Sequence, residues 1–202
     1  MENNPLKKLI VALVLFVSAG SAGAGVPEGL IAYRAGNYAL AIQELAPAAE
    51  AGNAEAQFLT GTSYASAKPP RKDLVRAESW LKKAAAQRYS QAYYWLGNLY
   101  MFQSGKRDEV KAAPWYEKAA ARGHAEGQFL LGMILFGSKT VPQDRTEAYK
   151  LLALAARRGS HLAKHTMVKL LKDFTPEQIK IGAERAAAWK PLIKPAKKPV
   201  KK

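Results

Sequence analysis

The chain contains no cysteine. Thiolate nucleophiles, thiolate metal sites and disulfide staples are therefore excluded, and packing alone must hold the fold together. Aromatic residues are few, 9% of 202 residues, although apolar residues reach 49%. Alanine makes up much of the difference. It buries little area but lets helices approach closely, so the composition points to many helices packed through small side chains rather than to one large aromatic core. Acids are also few: 16 Asp and Glu stand against 31 Lys and Arg, a formal net charge of +15. That balance favours anionic partners. Part of the excess is local, because residues 190–202 hold six lysines and no acid.

Motifs of catalysis are missing. There is no Gly-rich phosphate loop, nucleophile elbow or His-Glu-x-x-His pattern, and the acids are scattered. The histidines are His124, His161 and His165. His161 and His165 are four apart on an expected helix and could face one metal, but no Cys, Asp or Glu nearby completes a tetrahedral set. His124 follows a turn glycine and is expected to be solvated. No catalytic residue, metal site or cofactor is expected, and the chain is read as a non-enzyme.

Long hydrophobic runs are absent as well. The unbroken apolar stretch at residues 9–17 has nine residues, about 14 Å as a helix against a hydrocarbon core of about 30 Å, so no transmembrane segment is expected. Lys7 and Lys8 precede it, small residues follow, and Ala22-Gly23-Ala24 supplies an A-x-A site. That is the layout of a secretory signal peptide, with cleavage expected near Ala24 and a periplasmic or secreted product.

What the chain does have is a repeat. Ala41, Leu45, Ala48 and Ala49 recur as Ala77, Leu81, Ala84 and Ala85, as Ala112, Tyr116, Ala119 and Ala120, and as Ala148, Leu152, Ala155 and Ala156, at offsets of 36, 35 and 36 residues. A second block keeps the same register: Gly52, Ala56, Phe58, Gly61 and Tyr64; then Arg88, Ala92, Tyr94, Gly97 and Tyr100; then Gly123, Gly127, Phe129, Gly132 and Leu135; then Gly159, Ala163 and His165. Each block has apolar residues at helical spacing, so the unit is an antiparallel helix pair that must stack on copies of itself to bury its faces. Gly52, Gly123 and Gly159 sit where the second helix ends and the chain must reverse. Asp73, Asp108 and Asp144 precede the second helix as N-caps. Gly61, Gly97 and Gly132 lie inside the first helix, where glycine costs about 1 kcal/mol relative to alanine; keeping it in three copies implies a close helix crossing.

These motifs resemble the tetratricopeptide pattern, with its Leu-Gly-x-x-Tyr and Ala-x-x-x-Tyr-x-x-Ala elements. The stretches from Tyr64 to Ala77 and from Tyr100 to Ala112 are longer than that pattern allows, and the return between units is tight. In this the chain is similar to the Sel1-like repeat family, over about residues 29–168. Arg88 in place of a turn glycine and Val168 in place of the first-helix glycine depart from the pattern. The resemblance implies an all-α fold: a right-handed superhelical solenoid of Sel1-like helix hairpins with a C-terminal capping helix. The expected organisation is a signal peptide at 1–24 and about four helix pairs at 25–172. A capping helix follows at 173–189, opened by the Thr175 and Gln178 capping box and covering the last hairpin through Ile179, Gly182, Ala183 and Ala186. A basic Lys/Pro tail, expected to be disordered, occupies 190–202.

In a tetratricopeptide-like superhelix the first helices line the concave groove. Two rows would then form its wall: Phe58, Tyr94, Phe129 and His165, and, four residues on, Thr62, Asn98, Met133 and Lys169. The aromatics could equally fill the core between repeats. A groove of this make-up suits a protein or peptide partner in an adaptor or assembly role in the cell envelope. Trp80, Trp95 and Trp115 are expected to pack between helices. The alternative is an envelope protein whose basic surface and tail bind an anionic membrane or polymer. Nucleic acid is disfavoured, because an exported protein rarely meets it.

Overall fold

The computed structural model describes residues 25–68, 72–103, 105 and 107–192. The signal-peptide reading falls on residues 1–24 and the tail reading mostly on 193–202, both outside the described residues. The helices are α1 Val26–Arg34, α2 Tyr38–Glu50, α3 Ala54–Ser66, α4 Leu74–Ala86 and α5 Ser90–Asn98, the last running on into a π-helical turn, Leu99–Gln103. They continue as α6 Glu109–Ala121, α7 Ala125–Gly137, α8 Arg145–Arg157, α9 His161–Leu170 with a 3-10 turn Leu171–Asp173, and α10 Pro176–Ala188. Among the described residues there is no strand. From α1 to α9 each helix packs on the next in the chain, and α10 folds back onto α8. The result is a helical repeat fold.

Local chemistry sets the boundaries. The carboxylates of Asp73, Asp108 and Asp144 accept the backbone amides of Arg76, Lys111 and Glu147 and open α4, α6 and α8, supplying acceptors for amides that would otherwise be orphaned. The turn from second helix to next first helix needs a left-handed residue. Gly52, Gly123 and Gly159 take φ of 94°, 80° and 94°, and Arg88 is forced to φ 63°, a region disfavoured for residues with a Cβ.

The helix-one glycines have a specific cause. A methyl group on Gly61, Gly97 or Gly132 would overlap or crowd the side chain of Leu81, Tyr116 or Leu152 on the partner helix. The bulky residue of the second helix enters the notch of the first. The close crossing expected at these glycines is made mainly by an inserted side chain, with the carbonyls of Ala77 and Ala148 also close to the first and last notches. Gly29 and Leu45 repeat the pairing in the opening hairpin.

A hydrogen-bond ladder joins the units. Gln57 Nε2, Tyr93 Oη and Gln128 Nε2 donate to the carbonyls of Ala49, Ala85 and Ala120, each eight residues back, at 3.0, 2.9 and 3.1 Å. These carbonyls lie at second-helix C-termini, where backbone acceptors lack intrahelical donors. The following unit then covers the slot: Gln87 donates to Gln57 and to the Gly52 carbonyl, and the Arg122 guanidinium lies 4.5 Å from the Tyr93 ring centroid.

At the C-terminus, the Thr175 hydroxyl and Gln178 side chain form a reciprocal capping box on α10. Gly182 and Ala186 are buried and Ile179 is half-buried against α8, but Ala183 is exposed and takes no part in the cover. Beyond α10 the chain returns across the array, and the Leu192 amide donates to the Ala121 carbonyl at 3.0 Å.

Candidate partner-binding face

The first helices of the early units, α1, α3 and α5, approach one another closely, while the second helices α2, α4 and α6 do not make comparable contact. The side on which neighbours come closest is the inner side of a curved stack, so the solvent-facing stripe of the first helices is the inner face.

The eight sequence-derived residues do not form one open wall. Phe58 and Phe129 are buried, Phe58 tilted against Tyr89 at 5.0 Å. Thr62 is fully buried, its hydroxyl donating back to the Phe58 and Leu59 carbonyls. Tyr94 is half-buried and stacks on His124 at 4.4 Å. Asn98 is half-buried and accepts from the Tyr116 hydroxyl at 2.8 Å. Met133 is half-buried, and His165 and Lys169 are exposed at the C-terminal end. The aromatic slot thus serves both purposes: packing for Phe58 and Phe129, surface for Tyr94 and His165.

His124 departs from the expectation of a solvated turn residue. Its Nδ1 accepts the Gly127 amide at 3.2 Å and so caps α7. Burial pushes its pKa below the ordinary value, with Glu126 opposing weakly, because desolvation penalises the imidazolium.

A partly exposed stripe shares Asn98 and Met133 with the second predicted row and takes Trp95 and Leu130, one position beyond the first row. On α5 and its π turn, Gln91, Trp95, Asn98 and Phe102 follow at intervals of four, three and four; on α7, Glu126, Leu130 and Met133 occupy the same positions. Trp95 and Leu130 are half-buried and Phe102 is 61% exposed. The sequence pattern assigns Trp95 to packing, as it does Trp80 and Trp115. The latter two are half-buried on second helices under lysines, with Lys83 3.8 Å from the Trp80 centroid and Lys118 4.4 Å from that of Trp115. Trp95 is also half-buried and packs on the same core cluster as Trp80 and Trp115, so the packing reading holds for all three. Its remaining exposure follows from helical phase, because it lies at the edge of the buried face formed by Ala92, Tyr93, Leu96 and Gly97. Phe102 cannot be found that way, because the π turn alters the helical phase after Asn98.

A depression of about 750 Å³ lies near the α5–α6 connection, lined in part by Tyr100, Arg107, Asp108, Glu109 and Lys111. Its ionisable groups are engaged with one another. The Ser138 hydroxyl donates to Glu109, and this bond, with Arg107 and Thr140, holds the Glu109 carboxyl below its usual range. Burial and the Glu78 carboxylate push Tyr100 up to about 12. Burial raises the Glu78 carboxyl, but hydrogen bonds from Lys82 and Tyr100 outweigh it and hold the group low. No group of three or more His, Asp or Glu that could hold a metal occurs among the described residues, nor does any described helix have the length and apolarity to cross a membrane.

Stacked helix hairpins with a notch-and-knob pair in each unit define a superhelical repeat protein whose inner face carries an aromatic and apolar stripe. The Sel1 repeat family matches residues 54–89, 90–124 and 125–160, which correspond to α3–α4, α5–α6 and α7–α8 with their turns. The chain belongs to the Sel1-repeat family. Members of this family are generally protein–protein interaction scaffolds. Among solved structures, a protective antigen of uropathogenic Escherichia coli strains displaying an SLR fold is similar at 23% identity and a TM-score of 0.66, over 84% of this chain. This chain spans 38% of the antigen's length. A Sel1 repeat protein from Oxalobacter formigenes is similar at 24% identity and a TM-score of 0.63, over 87% of this chain and 77% of that one. No curated protein matches the chain.

Proposed function

We propose that this protein is an exported scaffold that holds a protein or peptide partner on its inner face. The observation that carries the reading is the stripe formed by Trp95, Phe102, Leu130 and Met133, with Asn98 between them. Large apolar side chains that stay partly open to solvent on the first helices of a repeat array offer contacts for a partner's anchors. Asn98, fixed by the Tyr116 hydroxyl, offers a preset amide to orient a backbone or side chain. His165 and Lys169 extend the face toward its C-terminal end, Lys169 with a positive charge. The export part rests on Lys7, Lys8, the apolar run at 9–17 and the site ending at Ala24, and places the partner in the envelope or outside the cell.

A photocrosslinking residue placed at Trp95, at Met133, or at Lys82 on the outer side tests the binding face in the cells that make the protein. The expected result is one common adduct from Trp95 and Met133 and none from Lys82. Adducts from Lys82 alone, or equally from all three, would overturn the reading. N-terminal sequencing of the native protein checks export: a terminus at or near Gly25 is expected, and an intact Met1 in a cytoplasmic fraction refutes it.

A further inference from the structure

The outer ends of the second helices carry a second surface, independent of the inner face. After α10, the segment at residues 189–192 crosses the C-terminal ends of α8 and α6. Arg158 lies over the Trp189 ring at 5.0 Å, Arg157 donates to the Ala186 carbonyl at 3.0 Å, and the Leu192 amide is tied to Ala121 at 3.0 Å. This return joins the α6 end, which carries Lys118 and Arg122, to the α8 end, which carries Arg157 and Arg158, with Lys190 on the connecting segment. Leu192 is 74% exposed. Between Arg158 and Pro191 a cavity of about 210 Å³ opens, walled by Leu154, Arg157, Arg158, Trp189 and Pro191.

None of these five cations has a carboxylate within ion-pair distance among the described residues. The nearest acids in sequence, Glu117 on α6 and Glu184 on α10, are exposed and make no ion pair with them. A helix C-terminus favours one cation through its dipole, which accounts for single residues but not for a cluster gathered by the returning chain. Acids are missing on a longer scale too: residues 148–172 hold six Lys and Arg and no Asp or Glu, and residues 193–202, which leave directly from Leu192, hold five lysines and no acid.

We propose that this cluster docks on the anionic headgroups of a lipid surface. The cavity lined by Arg157 and Arg158 receives one phosphate, Lys118 and Lys190 meet neighbouring headgroups, and Leu192 dips toward the acyl boundary. An exposed leucine next to unpaired cations suits a surface that is charged outside and apolar just beneath. Contact through the outer helix ends leaves Trp95 and Phe102 facing away, free for a partner.

The chain beginning at Gly25 carries every described helix and omits the apolar run at 9–17. Its sedimentation with phosphatidylcholine vesicles, and with vesicles containing phosphatidylglycerol, measures the docking. Binding is expected only to the second kind, and to weaken with added salt. Lys118→Gln with Lys190→Gln, both on exposed side chains, should weaken it about 25-fold, since each basic residue at a charged surface contributes about fivefold. Leu192→Ser should weaken it further while circular dichroism stays unchanged. Equal binding to neutral vesicles, an unchanged affinity in the double glutamine variant, or loss only when residues 193–202 are removed would each overturn the proposal. Tighter binding to a DNA duplex than to the anionic vesicles at the same salt, lost in the same variant, would overturn it in favour of a nucleic-acid surface.

Discussion

Substituting alanine at the helix-one glycines sets two effects of known size against each other. Alanine gains about 1 kcal/mol of helix propensity over glycine, and overpacking a filled site costs about 1–3 kcal/mol. Which effect wins depends on what the new methyl meets. At Gly97 it would overlap the Tyr116 ring, with Cζ at 2.8 Å. That ring cannot yield: Tyr116 is fully buried, its hydroxyl is held by Asn98, and Tyr94 lies 6.3 Å from it. At Gly132 the methyl meets Leu152 Cγ at 3.1 Å and the Ala148 carbonyl at 3.3 Å, a crowding that a leucine rotamer adjustment relieves. Gly97→Ala should therefore lose about 1–2 kcal/mol net, and Gly132→Ala should come out near zero. For a domain of this size, each kcal/mol moves Tm by about 2–4 °C. Thermal melts should show Gly97→Ala lower by about 2–8 °C and Gly132→Ala within about 2 °C of the parent. In a Tyr116→Leu background the cost of Gly97→Ala should shrink toward that at Gly132. The reasoning fails if Gly97→Ala melts at or above the parent, or if its cost is the same with and without the ring.

Other outcomes follow from single positions. Arg88→Gly should hold or raise Tm by about 2 °C, because release of a left-handed arginine, about 1–2 kcal/mol, outweighs the added unfolded-state entropy; a clear drop in the melt would refute it. Thr175→Ala should cost about 1 kcal/mol and fray α10, since it removes the hydroxyl that accepts the Gln178 amide and leaves only the backbone half of the capping box, which amide exchange at Gln178 and Ile179 would report. His124 is held neutral by burial in the folded chain, so the unfolded chain takes up a proton that the folded one resists. Stability should then fall as pH drops below about 6.5, the unfolded value, until His124 itself protonates. His124→Asn keeps a side-chain cap, as Asn53 does on α3, and should lose less Tm between pH 7.5 and 5.5 than the parent; equal losses would remove His124 as the cause. Trp95→Ala should lower the melt by part of the packing that Trp95 makes on the core and weaken a partner captured on the inner face about 30-fold or more, the mark of an anchor residue, as titration of that partner against the folded variant would show.

The fold is legible in the sequence because its determinants recur. Four copies of the Ala-x-x-x-Leu/Tyr block, three aspartate caps and three turn glycines each point to the same hairpin, and Arg88 stands out as a departure at the position where the backbone turns left-handed. The binding face is only half legible. The two predicted rows follow from the tetratricopeptide pattern, but one residue of phase separates a packed aromatic from an exposed one. Nothing in the sequence distinguishes Phe58, which packs on Tyr89, from Tyr94, which is half exposed. The partial exposure of Trp95 is readable from its place at the edge of the buried face of α5, while its contact with the core agrees with the general tendency of tryptophan to pack. His124 and the return of Leu192 to Ala121 depend on contacts between segments far apart in the chain, which local pattern does not encode.

The end of the array shows how few positions decide whether another unit can be added. A further full hairpin needs a notch in its first helix and a side chain in the ladder slot. In α9 both change together: Val168 stands where Gly61, Gly97 and Gly132 stand, and Lys164 where Gln57, Tyr93 and Gln128 stand. A valine there has no room for a second-helix leucine or tyrosine, and an exposed lysine leaves the Ala156 carbonyl, eight residues back, without the buried donor its counterparts receive. The next helix cannot seat on α9. The proline-started α10 lies on α8 instead, where Gly182 supplies a substitute notch against Tyr149 and the Thr146 carbonyl. Two substitutions thus turn a repeating helix into a terminus. They also leave Val168 and Leu171 exposed at 77% and 48%, because the helix that would have covered them was redirected. That redirection carries the chain across the outer face, sets Trp189 against Arg158, and assembles the basic cluster there. The same sequence change that stops the solenoid therefore builds its outer surface.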